Sequence, residues 1–515
     1  MDYHVLNSTK RRKSLFINFL PNTQNRFFAI SKHNNQIIRL KTQSQTPPKC
    51  SIQYVMQMVI FLFCFFAVLL EEASKKMSSD IISTLPNNII EKILTLMPIQ
   101  DALRTSILSK KWRYSWRSMP KLVFTDNMVT MSSNHLCGQL RKYKLASAIF
   151  HVLLFHNGPT ILKFKFCCFG LQMDPEFDQI ISYLARGNKV KKLCFIIKKN
   201  CYKLPISFFS LQELEVIHLE NCIFEPPLIF DKFSWLRKMK FMDVEVSAQM
   251  LERFLSKCPL LKHISLNRSK EGTDYVAGGN KFTFVDLLQR VPLIQDLEIA
   301  DCYMKYLCAG GMPYKLPTSL VHLKYLCMDV CMTEQNEISF VLCMIRSSPL
   351  LGKLTLRMYD NEKSLVPQTS DNFLDLEAYL DLNLDRLEIL DIEIYSNLPL
   401  VKDFVKLIIA KSPVLKKVRI VLNDNSNFLD PEDNLNLTLD HLETLEIEMF
   451  SNSPLEMEFV KVIMAKSLVL KKVRIELNDN VSVDEEVKML RDLVLLPFPR
   501  ASPSAKLIIE RPEAS

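Results

Sequence analysis

The residues best able to do chemistry in this chain are its histidines, cysteines and glycines. The nine histidines are scattered, and none belongs to an H-E-x-x-H helix that would hold zinc. The ten glycines form neither a G-x-G-x-x-G loop nor a Walker-type loop, so no phosphate cradle is indicated. The fourteen cysteines contain no C-x-x-C pair and no zinc-ligand spacing with histidine. We therefore predict no catalytic residue, no metal site and no cofactor.

Charge and length restrict the class of protein further. With 515 residues, of which 48% are hydrophobic, the chain is too long for one compact domain. Residues 1–52 hold nine Lys or Arg against one acid, whereas the remainder carries 56 basic and 55 acidic groups. This balance gives no support for nucleic-acid binding by the main body. Unpaired cysteines at apolar positions favour a reducing compartment, the cytoplasm or the nucleus.

Residues 80–124 must fold into a small helical unit. Pro86 suits the first turn of a helix, which we expect to run to Leu96. A second helix is expected over residues 99–107 and a third over residues 109–118. The first helix has two adjacent apolar faces, made by Ile89, Ile93 and Leu96 and by Ile90, Leu94 and Met97. That is more apolar surface than so short a helix can bury against its own neighbours.

This segment resembles the F-box, the adaptor-docking module of SCF-type ubiquitin ligases. The matching positions are Asp80, Leu85, Pro86, Ile89, Ile90, Ile93, Leu94, Pro98, Arg104, Thr105, Leu108, Ser109, Trp112 and Trp116. The resemblance implies that the partner is a Skp-type adaptor, linked in turn to a cullin scaffold. Its adaptor-binding residues would be Leu85, Pro86, Ile89, Ile93, Leu94, Pro98, Leu108 and Trp112. For Leu94, Leu108 and Trp112, a place in the core of the module is an equal alternative.

The N-terminal extension, residues 1–76, contains an apolar run over residues 54–70 in which Gln57 is the only polar residue. Its seventeen residues stand at the lower limit for crossing a membrane. We expect the extension to be disordered or a single helix. Three interpretations stay open: translation beginning at Met77, a membrane anchor, or a buried or cleaved segment.

After the helical unit, the motif L-x-x-L-x-L recurs along the chain. Well-formed copies begin at Leu214, Ile294 and Leu323, and weaker ones at Ile161, Val190, Leu236, Leu261 and Leu351. This pattern predicts leucine-rich repeats, each supplying a strand followed by a helix or loop. We therefore predict an α/β fold in which a small three-helix F-box precedes an irregular leucine-rich-repeat solenoid.

The C-terminal third contains a duplication. Residues 384–425 align without gaps on residues 439–480, with 29 of 42 positions identical. Each copy predicts a strand, a helix and a second strand. The string at 404–420, together with residues 500–510, resembles the FBD domain that closes many plant F-box proteins with leucine-rich repeats. That family usually has one such unit, so the second copy is a departure from it.

The expected domains are the extension 1–76, the F-box 77–125, leucine-rich repeats 126–360 and duplicated FBD-like repeats 361–515. Side chains between the buried leucines of the repeats would face outward and could contact a target protein. The candidates are Lys324, Tyr325, Asp391, Glu393, Glu446 and Glu448. For any one of these charges, plain solvation is the alternative.

The residues and the resemblance together predict a non-enzymatic substrate-recognition subunit of an SCF-type ubiquitin ligase. In this interpretation the F-box docks the adaptor and the repeats bind a target protein. One alternative is a membrane-anchored leucine-rich-repeat scaffold with a vestigial F-box. Another is an interaction protein that binds the adaptor without assembling a ligase.

Overall fold

The computed structural model divides the chain into two compact units, Met1–Ser78 and Ser79–Ser515. It describes residues 15–16, 28–31, 37–39, 84–126, 138–169, 175–187, 190–198, 201–267, 284–308, 313–360, 382–395, 399–422, 439–451, 454–491 and 500–512.

The first unit contains three short antiparallel strands. These are β1 (Leu15–Phe16), β2 (Phe28–Ser31) and β3 (Ile37–Arg39), with β2 in the centre. The expectation of a disordered or singly helical extension is therefore wrong for these residues, because their backbones pair as a sheet. The apolar run at 54–70 lies outside the described residues. Within the part of the chain that the structure describes, no helix is long and apolar enough to cross a membrane.

The second unit begins with the helical segment that the sequence predicts. Helix α1 spans Asn87–Thr95 and α2 spans Ile99–Arg104, each preceded by a proline in extended conformation. Two 3-10 helices follow, Thr105–Ile107 and Trp112–Ser118. The prediction of three helices is thus corrected: the second breaks into α and 3-10 parts, and the third is a 3-10 helix. The tighter 3-10 winding is common in pieces this short.

A single parallel sheet runs through the rest of the second unit. Among the described residues it has fourteen strands, and its order follows the chain except that β7 and β9 pair with each other separately. Its strands are β4 (Lys121–Thr125), β5 (Lys163–Cys168), β6 (Lys192–Ile197), β8 (Val216–Glu220), β10 (Lys238–Met242), β11 (His263–Asn267), β12 (Asp296–Ile299), β13 (Tyr325–Cys331), β14 (Lys353–Tyr359), β15 (Ile389–Tyr395), β16 (Lys417–Val421), β17 (Thr444–Phe450), β18 (Lys472–Leu477) and β19 (Lys506–Glu510). The small pair is β7 (Tyr202–Lys203) and β9 (Cys222–Ile223).

Helices lie in the connections between these strands. They are α3 (Gly138–Phe155), α4 (Pro175–Gly187), α5 (Ala248–Leu255), α6 (Phe284–Gln289), α7 (Asp301–Cys308), α8 (Gln335–Arg346), α9 (Pro399–Ala410), α10 (Pro454–Lys466) and α11 (Val483–Leu490), with a 3-10 helix at Ile206–Ser210. Helical crossovers are what parallel strands require. Both copies of the duplication have the predicted order of strand, helix and strand: β15–α9–β16 and β17–α10–β18.

The repeat motif explains the sheet. Each well-formed copy of L-x-x-L-x-L supplies one strand, and its alternate apolar residues, such as Ile217 and Leu219, are buried. Among the described residues β4 pairs only with β5 and β19 only with β18, so the sheet is open and not a closed barrel. The architecture is mixed α/β. The described residues show an open ladder of parallel strands, and the predicted solenoid is not shown.

Candidate functional site

The F-box segment divides its apolar residues between a core and a surface. Ile90 and Leu94 on α1 are fully buried, as is Trp112, and Trp116 is nearly so. The spacing of four residues places Ile90 and Leu94 on one side of α1. These four side chains therefore hold the helices together, and they leave the other apolar face of α1 uncovered.

The predicted adaptor-binding residues lie at different depths. Pro86, Ile89 and Leu108 are exposed, whereas Leu85, Ile93 and Pro98 are half-buried and Leu94 and Trp112 lie inside the module. The backbone carbonyl of Leu85 accepts a hydrogen bond from the Lys111 ammonium, which ties the start of α1 to the last 3-10 helix.

Three exposed apolar side chains were not among the predicted site residues. Leu96 is 62% exposed, Ile107 88% and Tyr114 55%. Leu96 shares a helical face with Ile89, which is 37% exposed, and Ile107 directly precedes the exposed Leu108. The helical spacing could have identified Leu96. Ile107 could not be found in this way, because its exposure depends on where α2 changes to 3-10 winding.

The F-box is fused directly to the edge of the long sheet. Strand β4 starts three residues after the last 3-10 helix, and the backbone N–H of Asn157 donates to the carbonyl of Arg117 over 3.0 Å. The ring Nε2 of His156 lies 2.9 Å from the carbonyl of Met119. The Arg117 guanidinium also lies 5.0 Å from the centre of the Phe155 ring. These contacts fix the F-box to β4 and α3 within one unit.

The outward face of the later strands carries a ladder of ion pairs. The Arg357 guanidinium lies 2.6 Å from Asp329 and 3.4 Å from Glu393. Arg419 lies 3.5 Å from Glu393 and 2.5 Å from Glu448, so the pairs form a chain across neighbouring strands. The hydrogen bonds from Arg419 lower the pKa of the Glu448 carboxyl group, against the opposing effect of its partial burial. Arg474 extends the ladder to Glu448, Glu476 and Glu510.

All four acidic residues predicted to bind the target are partners in such pairs. Besides Glu393 and Glu448, Asp391 lies 2.7 Å from the Lys353 ammonium and Glu446 lies 2.6 Å from that of Lys417. The two other candidates differ: Lys324 is exposed, and Tyr325 is half-buried with the Lys353 ammonium 5.3 Å from its ring centre. The structure thus brings Tyr325 and the four acids to one face of the sheet, with Lys324 just before β13, but it neutralises the carboxylates internally.

One side-chain pair on the early strands has atoms suited to nucleophilic chemistry. The Cys194 sulfur lies 3.4 Å from Nδ1 of His218. Burial raises the pKa of the Cys194 thiol to about 11, and burial together with Lys240 lowers that of His218. Both groups are therefore neutral near pH 7, and a thiolate nucleophile is not formed. In the described part of the chain, no cluster of three or more His, Cys, Asp or Glu side chains could hold a metal ion.

Three family models match the chain. The F-box domain model matches residues 82–124, the segment that forms the helical module. A model for the leucine-rich repeats of FBD-associated F-box protein At5g56370 matches residues 177–281, and the FBD model matches residues 438–475. The chain thus carries segments that match F-box, leucine-rich-repeat and FBD models, an assignment that makes it similar to plant F-box/FBD/LRR-repeat proteins.

Relatives from Arabidopsis thaliana agree with this assignment. F-box/FBD/LRR-repeat protein At1g13570 is 28% identical over 71% of the chain and 95% of its own length. F-box/FBD/LRR-repeat protein At5g56420 is 22% identical over 84% of the chain and 99% of its own length. FBD-associated F-box protein At5g56370 is 27% identical over 52% of the chain and 57% of its own length.

The FBD match distinguishes the two copies of the duplication. It covers β17, α10 and the first residues of β18, which belong to the second copy. The resemblance in the sequence was found in the string 404–420 of the first copy. The second copy, β17–α10–β18, is therefore the one that the FBD model matches.

Proposed function

We propose that this chain is a substrate-recognition subunit of an SCF-type ubiquitin ligase. The F-box would dock a Skp-type adaptor and through it a cullin scaffold, while the long sheet binds the target protein. The observation that carries the proposal is the set of exposed apolar side chains on the F-box, which we call the F-box apolar set: Ile89, Leu96, Ile107, Leu108 and Tyr114. Apolar groups exposed together on a small module are typical of a protein-binding surface.

Within the predicted adaptor site, exposure separates two roles. Pro86, Ile89 and Leu108 can meet a partner without any rearrangement, and Leu85, Ile93 and Pro98 are accessible in part. Leu94 and Trp112 support the helices from inside. Substitution of these two would act on the folding of the module first and on adaptor binding only through it.

The function needs no residue that makes or breaks a bond. A target held on the sheet and a conjugating enzyme held through the adaptor would share one complex, so attack by a target lysine becomes effectively intramolecular. The direct fusion of the F-box to β4 supports this role, since it keeps the two binding surfaces at a fixed separation. A reducing compartment, the cytoplasm or nucleus, accords with the unpaired cysteines among the described residues.

The decisive experiment measures capture of a purified Skp-type adaptor. We expect Ile89→Asp to abolish capture, because burying an unpaired charge in an apolar interface costs several kcal/mol, a large part of the about 8 kcal/mol that holds a micromolar complex. The double replacement of Leu85 and Pro86 by alanine should have the same result. Leu154→Asp is the matched control, since Leu154 is an exposed apolar residue on α3, outside the F-box.

Circular dichroism should show that all three variants remain folded. Unchanged adaptor capture by both F-box variants would remove the basis of the proposal. If capture is confirmed, ubiquitin transfer in a reconstituted complex distinguishes a ligase subunit from a protein that only binds the adaptor.

A further inference from the structure

Six lysines lie on the outward face of the early strands. Strand pairing places Lys121 beside Lys163 on β4 and β5, and it aligns Lys165 with Lys240 through Cys194 and His218 on the strands between them. Lys192 and Lys238 flank Val216 in a neighbouring row. We call these six residues the lysine patch: Lys121, Lys163, Lys165, Lys192, Lys238 and Lys240.

No residue of the lysine patch has an ion-pair partner within 4.0 Å among the described residues, although Lys191 and Lys198 at the two ends of β6 are paired, as are Arg357 and Arg419 on the later strands. The acid nearest in register is Glu220 at the end of β8, and it already pairs with the Lys198 ammonium. Every other acid that faces outward on this sheet lies on β12 or later strands. The patch is therefore a local excess of positive charge on a body that is nearly neutral.

His218 lies in the middle of the patch, and the charges of the surrounding lysines affect its pKa. Its Nε2 atom is buried and lacks a hydrogen-bond partner among the described residues. Burial lowers the pKa of this imidazole, and the charges of Lys240, Lys165 and Lys163 lower it further, although Glu220 opposes them. An anion bound over the patch would offset the repulsion between the lysines.

The composition of the patch selects among anionic partners. On β4, β5, β6, β8 and β10 the outward positions hold no arginine and no Phe, Tyr or Trp, the residues that contact bases or stack on them. The acids of β12 and β13 (Asp296, Glu298 and Asp329) would repel a long polyanion that ran on along the sheet. Five strands span about 19 Å, which equals about six residues of extended peptide.

We propose that the lysine patch binds a short segment of the target protein that is rich in Asp and Glu. The proposal rests on the proposed function, since it names the chemical class of the target at the sheet. It moves the main contact from the later strands to the strands beside the F-box. A target held there lies at the end of the sheet that would be joined to the adaptor.

The probe is a fluorescein-labelled peptide of eight glutamates, measured by fluorescence anisotropy with the full chain at low ionic strength. Replacing Lys163, Lys165 and Lys240 together by glutamate should weaken binding about tenfold or more, as expected for the loss of three half-exposed charge contacts. The matched control replaces Lys232, Lys315 and Lys488 by glutamate, which changes the net charge equally at exposed positions off this face. The control should bind within about twofold of the original chain.

The triple replacement of the three patch lysines by glutamine tests for misfolding. It should also weaken binding, by less than the glutamate variant, with an unchanged melting temperature. The basic residues 1–52 are common to all variants, so only the differences between variants count. Equal binding by the patch and control variants would overturn the proposal. So would tighter binding of a single-stranded oligothymidylate or of anionic vesicles, if the patch substitutions abolish it.

The test is independent of the ligase assignment. Peptide binding requires no adaptor, so Ile89→Asp should leave it unchanged. A chain that captures the adaptor but shows no patch-dependent peptide binding would refute the lysine patch alone. A chain that binds the peptide but no adaptor would refute the proposed function and leave a plain interaction protein.

Discussion

The two halves of the long sheet share one ladder of parallel strands but are stabilised differently. In the N-terminal half, β4 to β11, phenylalanine rings fill the interior: the Phe224 ring lies 4.9 Å from those of both Phe241 and Phe254. In the C-terminal half, β12 to β19, the strand interior is mainly aliphatic, as at Ile392 and Ile420, and the outer face is tied by ion pairs.

Because of this difference, the charged side chains on the outer faces of the two halves have different roles. Where aromatic packing holds the strands, the six lysines of the lysine patch are left available for an external partner. Where arginines bridge the strands, their charges and those of the acids are used within the protein. A face rich in charge is therefore not by itself a face available for binding.

The largest effect should come from the aromatic interior. Phe224→Ala removes a fully buried ring with four ring neighbours and should lower the free energy of unfolding by about 3–5 kcal/mol. Phe404→Ala on α9 is the matched variant in the C-terminal half. It should cost less, by about 0.5–1.5 kcal/mol for each ring pair it does not break. Urea denaturation measures both, and equal losses would contradict the contrast between the interiors.

Breaking the ion-pair ladder should have an intermediate effect. Arg357→Met leaves Asp329 and Glu393 without this partner on a partly buried face, and we expect a loss of about 1–2 kcal/mol of unfolding free energy. Lys471→Met breaks a more exposed pair with Glu443 and should leave the free energy of unfolding nearly unchanged. Lys165→Met, in the N-terminal half, breaks no ion pair. A loss as large for Lys165→Met as for Arg357→Met would mean that the ladder is not what distinguishes the two faces.

Charge reversal on the two faces should separate binding from stability. Changing Asp391 and Glu393 to lysine should lower the melting temperature, because Lys353, Arg357 and Arg419 each lose one acidic partner. Binding of the glutamate peptide should not weaken. Reversal of the lysine patch should weaken peptide binding about tenfold and leave the melting temperature nearly unchanged. If reversal at Asp391 and Glu393 instead abolishes capture of a target, the acidic face is the recognition site.

The smallest effects concern pH, and the two halves should respond in different ranges. The pKa of His218 is lowered in the folded chain, so the unfolded chain takes up the proton first as pH falls below about 6.5, and stability is lost there. The pKa of Glu448 is also lowered, mainly by the Arg419 hydrogen bonds, so its contribution is present above about 4.5 and is lost as pH falls below that. Hydrogen exchange should therefore show β8 loosening at a higher pH than β17.

His218→Gln should remove the loss of stability that begins below about pH 6.5 and leave the loss that Glu448 causes below about pH 4.5. The slope that His218 adds cannot exceed about 1.4 kcal/mol per pH unit, the value for one proton. An unchanged pH profile in β8 after this substitution would assign the loss to another group.

The sequence predicted the features that depend on local spacing. The three well-formed copies of L-x-x-L-x-L became β8, β12 and β13, and the duplication became two units of strand, helix and strand. The first F-box helix was predicted within a few residues. The third was predicted as an α-helix from the spacing of Trp112 and Trp116, whereas it is a 3-10 helix in which both rings are still buried.

The features that depend on strand register were not predictable. Glu393 and Arg419 are 26 residues apart, and only the alignment of β15 with β16 brings them together. The carboxylates of the later strands were therefore expected to face solvent or a target, whereas they meet arginines and lysines of adjacent strands. The lysine patch was missed for the same reason: each lysine by itself is an ordinary polar residue of an alternating strand.

The sequential order of the strands bears on how the protein is made. Each strand of the described sheet pairs with the strand that precedes it, so a chain leaving the ribosome can add strands one at a time to an edge already in place. The F-box is synthesised before this growth begins. The unit β17–α10–β18 then pairs with β16 at the edge of the sheet, and no strand pair formed earlier has to separate. A repeat gained by duplication can therefore be added during translation.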